Sequence, residues 1–130
     1  MRFASKGYRD LEVWQRSKVL AKQIYQCTAC YPKEEKFGMV NQMRRSAVSI
    51  PANLAEGHAR LSISEYWHFV SIASGSVAEL ETFILLSADL GYLNASDESD
   101  LLDQLDEIGK MLRGLAKYLA RHRDAPHAKR

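Results

Sequence analysis

From Leu101 to Leu119 the residues Leu101, Leu105, Ile108, Leu112, Leu115 and Leu119 recur in steps of 4, 3, 4, 3 and 4. A strand cannot use that rhythm, because its side chains alternate between faces. A helix of 3.6 residues per turn gathers all six on one side. That oily seam must be covered, so the rest of the chain has to supply partners of matching length. Three further stretches carry helical spacing, and only 3 Pro and 7 Gly interrupt 130 residues.

The first helix is expected over about 10–30, starting near Asp10, with Leu11, Trp14, Ala21, Ile24, Tyr25 and Thr28 on its face and Val13, Leu20 and Cys27 widening it. Tyr31-Pro32 ends it, since a residue before proline resists the α region. The second is expected over about 34–58 through Phe37, Val40, Met43, Ala47, Ile50 and Leu54. Pro51 lies inside it and costs roughly 3 kcal/mol through a lost hydrogen bond and a clash. The pattern continues on both sides, so a kink at Pro51 is the reading, against two shorter helices meeting at Ile50-Pro51. Gly57 to Leu61 reads as a break.

The third helix is expected over about 63–90, with Ser62 or Ser64 as cap and Glu65 reaching back in a capping box. Its face runs Tyr66, Phe69, Val70, Ala73, Val77, Leu80, Phe83, Ile84 and Leu90. Small residues from Ser71 to Ala78 suggest close approach of a neighbouring helix, which would offset the cost of Gly75 in a helix interior. Gly91 suits the position after the helix. The fourth is expected over about 97–122, with Ser96 as cap, and residues 124–130 as a mobile tail. The fold class is therefore all-α: a single domain, an antiparallel up-down four-helix bundle with its second helix kinked at Pro51.

Charge is distributed unevenly. Residues 1–60 carry a balance of +6, residues 61–109 carry ten acids and no Lys or Arg, and residues 110–130 return to +6. Separate acidic and basic zones steer partners. Lys110, Arg113, Lys117 and Arg121 form a basic stripe on the fourth helix, with His122, Arg123, Lys129 and Arg130 beyond. Arg9, Arg16, Lys18 and Lys22 add to it from the first. The bland account is solubility and dipole complementation; the functional account is a surface for backbone phosphates of structured RNA or another nucleic acid. On the second helix Arg45, Ser49, Asn53, Glu56 and Arg60 share one face, either solvated or a contact surface for phosphate or a partner.

The acid-rich segment 61–109 equally suits a protein-interaction scaffold, meeting basic zones of a sister chain or partner. Glu65 and His68 make a lone E-x-x-H, half of what a di-iron bundle needs. Cys27-x-x-Cys30 lies at a helix end with no strand nearby, and reads as packing thiols. No nucleophile is paired with a base and no glycine-rich phosphate loop is present, so no catalytic residue, metal or cofactor is assigned. No apolar run approaches the ~20 residues of a membrane span, and no apolar region follows Met1 to Lys6, so the cytoplasm is the expected address.

Three segments resemble a known family: Tyr8 to Trp14, then Gln42-Met43-Arg44-Arg45-Ser46-Ala47-Val48-Ser49-Ile50-Pro51-Ala52-Asn53-Leu54-Ala55-Glu56-Gly57, then Ala73 to Glu81. They look like the 23S ribosomal RNA intervening-sequence proteins, over roughly residues 8–122. The resemblance implies a bacterial four-helix bundle forming ring-like homopentamers, with no established catalytic residues. A related branch serves diversity-generating retroelements as an accessory protein that binds nucleic acid and a reverse transcriptase. At the matching positions the motif marks Arg44, Arg45, Asn53, Glu56, Gly75, Glu79 and Glu81, as a binding surface or a subunit interface.

Overall fold

The computed structural model describes residues 7–124; the expected tail therefore lies, apart from Asp124, outside the described residues. Four helices form a bundle: α1 (Glu12–Thr28), α2 (Met39–His58), α3 (Ile63–Asp89) and α4 (Ala95–Arg121). Short 3-10 turns at Gly7–Asp10 and Lys33–Glu35 precede α1 and α2. Each helix packs on its neighbours in sequence, and α4 closes the ring against α1. Partner residues step in opposite senses along α2 and α3: Ser46 meets Glu79, Ser49 meets Ser76, and Gly57 abuts Phe69 and Tyr66. Arg16 meets Glu107 while Cys27 and Asp97 line one groove, so α1 and α4 are likewise antiparallel.

The core is the set of stripes read from the sequence. Leu20, Ile24, Met43, Ile50, Leu54, Val70, Leu80, Ile84, Leu105, Ile108 and Leu112 are fully buried. Each such side chain contributes about 1.5–3 kcal/mol relative to exposure. Pro51 sits within an α2 that runs unbroken from Met39 to His58, which removes the reading of two shorter helices.

Several boundaries differ from expectation. Asp10 does not cap α1; it ends the preceding 3-10 turn, and Leu11 occupies the cap position. The second helix starts at Met39, five residues late, because the chain first makes the Lys33–Glu35 turn. The Glu35 carboxylate then accepts from the Met39 N–H at 3.3 Å. Phe37 falls outside the core as a result, 85% exposed. Leu90 is also exposed, just beyond the end of α3. Ser62 caps α3, accepting from the Glu65 N–H at 3.1 Å. Asn94, not Ser96, caps α4, accepting from the Asp97 N–H at 2.8 Å.

The helix closeness expected at Gly75 occurs instead at Gly57, which lies inside α2 rather than in a break. A Cβ on Gly57 would stand 2.7 Å from the Phe69 Cβ and 3.0 Å from Tyr66 Cδ1; one on Gly75 would meet nothing within 4 Å. Burial against this contact pushes the Tyr66 phenol up to about 12. By length and composition alone α3 is apolar enough to cross a membrane. The sequence reading missed this because Ser and Gly break up the apolar run. The buried face of α3 is nonetheless part of the core, through Tyr66, Val70, Ala73, Leu80 and Ile84.

These two glycines should respond oppositely to alanine. Gly57→Ala forces α2 from α3 and should lower stability by about 1–3 kcal/mol. Gly75→Ala should raise it by up to about 1 kcal/mol, through helix propensity alone. Urea unfolding of the two variants against the parent checks both signs.

Candidate functional surfaces

The family-motif stripe on α2 resolves into contacts that tie three helices together. Arg44 reaches α1: its Nε donates to Thr28 Oγ1 at 3.0 Å, one terminal nitrogen donates to the Tyr25 carbonyl at 3.2 Å, and the guanidinium lies 4.5 Å from the Tyr25 ring. Toward α3, the Ser46 hydroxyl lies 3.1 Å from a Glu79 oxygen. The Ser49 and Ser76 hydroxyls are hydrogen-bonded at 2.7 Å. Asn53 donates to the Ser49 carbonyl at 2.8 Å and to its hydroxyl at 2.9 Å. Apart from the exposed Glu79, these polar groups are half-buried or buried, so their mutual bonds offset a desolvation cost.

Farther along, Arg60 pairs with Glu56 at 2.7 Å and with Glu65 at 3.9 Å, and its guanidinium lies 4.8 Å from the Phe69 ring. That engages the carboxylate of the E-x-x-H pair, while His68 stands edge-on to Phe69. Among the described residues no group of three His, Cys, Asp or Glu could hold a metal ion. Arg45 and Glu81 are exposed and belong to none of the ion pairs among the described residues. Gly75 lies on the outer side of α3, away from any helix of this chain.

The basic residues do not form one surface. Arg16 is engaged by Glu12 at 3.2 Å and Glu107 at 3.9 Å. Lys18 leans over Trp14, 5.4 Å from its ring. Lys18 and Lys22 fall in the helical register of Tyr25, which meets Arg44 of α2. They therefore flank the α1–α2 seam. Lys110, Arg113, Lys117 and Arg121 are exposed on α4 in one stripe. Of these only Lys110 has a carboxylate partner among the described residues, Asp106 at 3.2 Å. The antiparallel packing sorts charge along the bundle axis. The end of α4 lies beside the start of α3, where Ser64 and Trp67 line a groove with Ala120 and Arg123. Asp97, Glu98, Asp100 and Asp103 occupy the opposite end. Lys129 and Arg130 lie outside the described residues.

Two grooves of about 300 and 310 Å³ open between α1 and α4, whose seam is the loosest of the four. The first is lined by Gln15, Arg16, Val19, Gln104 and Ile108. On α3, Trp67, Ile72, Leu85 and Leu86 are 39–44% exposed. No charge stands between Glu65 and Glu79. The apolar face of α3 is thus wider than one core seam needs, as the apolar spacing of the first three helices suggests. The signal is a 27-residue helix with apolar residues off its seam as well as on it.

The sequence matches the 23S rRNA-intervening sequence proteins over residues 9–114. The chain belongs to that family. Its fold is also that of a crystallised protein of unknown function from the S23 ribosomal protein family of Bacteroides thetaiotaomicron. The two are 25% identical, with a TM-score of 0.73, over 81% of this chain and 98% of the other. No curated protein matches. The family match takes in the whole of α1 to α3, the α2 motif included, and stops at Gly114, so Lys117 and Arg121 lie beyond the shared span.

The two cysteines are free. Cys27 is half-buried in the second α1–α4 groove. Burial, then the charge of Asp97, pushes its thiol up to about 11. Cys30 is exposed. Cys27 therefore stays a thiol at pH 8, so alkylation should label the exposed Cys30 first and leave Cys27 largely unmodified in the folded protein. Mass spectrometry of partly alkylated protein reads the order; equal labelling would contradict it.

Proposed function

We propose that the protein is a non-enzymatic homo-oligomer of the bacterial cytoplasm that holds structured RNA, or another nucleic acid, by its phosphate backbone. The observation that carries this reading is the α4 stripe. Arg113, Lys117 and Arg121 are exposed and have no carboxylate partner among the described residues. Dipole complementation does not account for them all. A helix C-terminus carries about half a negative charge, whereas the end of α4 and the residues just after it bring Arg113, Lys117, Arg121 and Arg123. At the same end of the bundle Glu56 and Glu65 are paired with Arg60, and Glu12 with Arg16, so nearby acids are already engaged. The surplus positive charge suits a polyanion. The family's description, an rRNA-intervening sequence protein, favours RNA. The reading rests on α4 alone; Arg16, Lys18 and Lys22 belong to other faces.

The exposed α3 side chains support self-association. Trp67, Ile72, Leu85 and Leu86, around a centre of Ser71, Ser74, Gly75 and Ala78, offer a face a sister chain can cover. A ring of five is the assembly the family resemblance implies. The same face favours the second reading, a protein-interaction scaffold with no direct nucleic-acid contact.

Binding of a structured RNA across a salt series tests the first reading. Affinity should fall steeply with salt, and replacing Arg113, Lys117 and Arg121 by Gln should flatten the log–log slope by about 0.7–0.9 per lost phosphate contact. Absence of binding at low ionic strength overturns it and selects the scaffold if assembly persists. Light scattering should give a multiple of the 14.8 kDa chain mass, five-fold for a pentamer; a monomer at micromolar concentration removes the oligomer.

A further inference from the structure

Between α1 and α2 lies an open groove of about 440 Å³, lined by Tyr25, Asn41, Arg44, Arg45, Val48 and Ser49. Its chemistry is set by two adjacent arginines in different states. Arg44 is anchored. The Thr28 hydroxyl donates to the Ile24 carbonyl at 2.6 Å, so its lone pairs face Arg44 and accept from Nε. The Tyr25 carbonyl takes one more N–H, and the Tyr25 ring underlies the guanidinium. Every one of these partners is neutral. Arginine has five N–H donors, so three remain on Arg44. Arg45, one residue on, is exposed. Neither takes part in an ion pair among the described residues.

No carboxylate of α1 or α2 stands within ion-pair distance of either arginine, and Glu79 of α3 meets Ser46 instead. Glu12 is the only acid of α1 and sits at its far end; Glu56 is the only acid of α2 and is held by Arg60. Lys18 and Lys22 on α1 add positive charge along the same seam. A purely structural role explains the two donors of Arg44 that tie α1 to α2. It does not explain Arg45, nor two guanidiniums converging on one groove with the Asn41 amide as a further donor.

We propose that this groove is an anion subsite that takes a phosphate group. Guanidinium forks match the paired oxygens of phosphate, and a phosphate offers enough acceptors to engage both arginines together with the amide beside them. The anchoring of Arg44 lowers the ordering cost of binding. Tyr25 and Val48, both partly exposed in the groove, give the organic part of a phosphate ester an apolar rest. The site is separate from the α4 stripe and does not depend on it.

The test uses the full chain at low ionic strength, with amide NMR shifts followed during titration with inorganic phosphate. Shifts at Tyr25, Asn41, Arg45 and Ser49 should saturate, and chloride at matched ionic strength should leave them unmoved. Arg45→Gln, which removes no hydrogen bond or ion pair among the described residues, should weaken phosphate binding about tenfold, the worth of one charge-assisted bond pair. Its thermal midpoint should match the parent. The α4 variant at Lys117 should bind phosphate as the parent does. Two further arms identify the source: adenosine monophosphate binding more tightly than phosphate points to a mononucleotide, and a single-stranded oligonucleotide binding more tightly than both points to a strand. Either outcome supports the subsite. Absence of saturable shifts at these residues, or binding indifferent to Arg45→Gln, overturns it.

Discussion

Everything in this bundle depends on how closely α2 can lie against α3. Beside the apolar core they share, the two helices meet along a line of glycine and polar side chains. Gly57 admits Tyr66 and Phe69 at one end, and Ser49 and Ser76 bond in the middle. Near the other end Ser46 and Glu79 meet, and Ser87 leans on the sulfurs of Met39 and Met43. The polar bonds of such a seam have one correct pairing. A shift of either helix by a turn would strand several buried hydroxyls, so the seam fixes register as well as distance.

This arrangement explains why the α2 motif is at once structural and suggestive. Ser46, Ser49, Asn53 and Gly57 face α3; Arg44 faces α1; Arg45 faces out. One helix spends each side of its surface on a different neighbour, and only the outermost residues remain for other molecules. Among the described residues, two sets of cations without a carboxylate partner stand on different sides of the bundle, one between α1 and α2 and one along α4. The balance of charge in the sequence separates chain segments, but antiparallel packing recasts it as a separation along the bundle axis.

The parts legible in sequence were those governed by periodicity. The leucine seam of α4 appears in the core as spaced, apart from Leu115, which is only half-buried, and the identity of all four helices follows from their patterns. Local competition was not legible. Asn94 captures the cap from Ser96, and the Lys33–Glu35 turn delays α2 and leaves Phe37 in solvent. Gly57 and Gly75 look alike in sequence, and only the positions of Phe69 and Tyr66 tell which is a close approach. The pairing of Arg16 with Glu107 likewise joins residues 91 positions apart, which no helical spacing could foretell. Of the candidate site residues, the α4 stripe kept its shape, while the α1 cations divided between neighbours.

The unequal tightness of the four seams gives the molecule a weak edge. α2 is clasped on both sides, whereas α1 and α4 leave two openings along their boundary. Thermal breathing must start where the fewest contacts are lost. The bundle therefore opens like a book whose spine is the α2–α3 pair, with α1 and α4 as its covers.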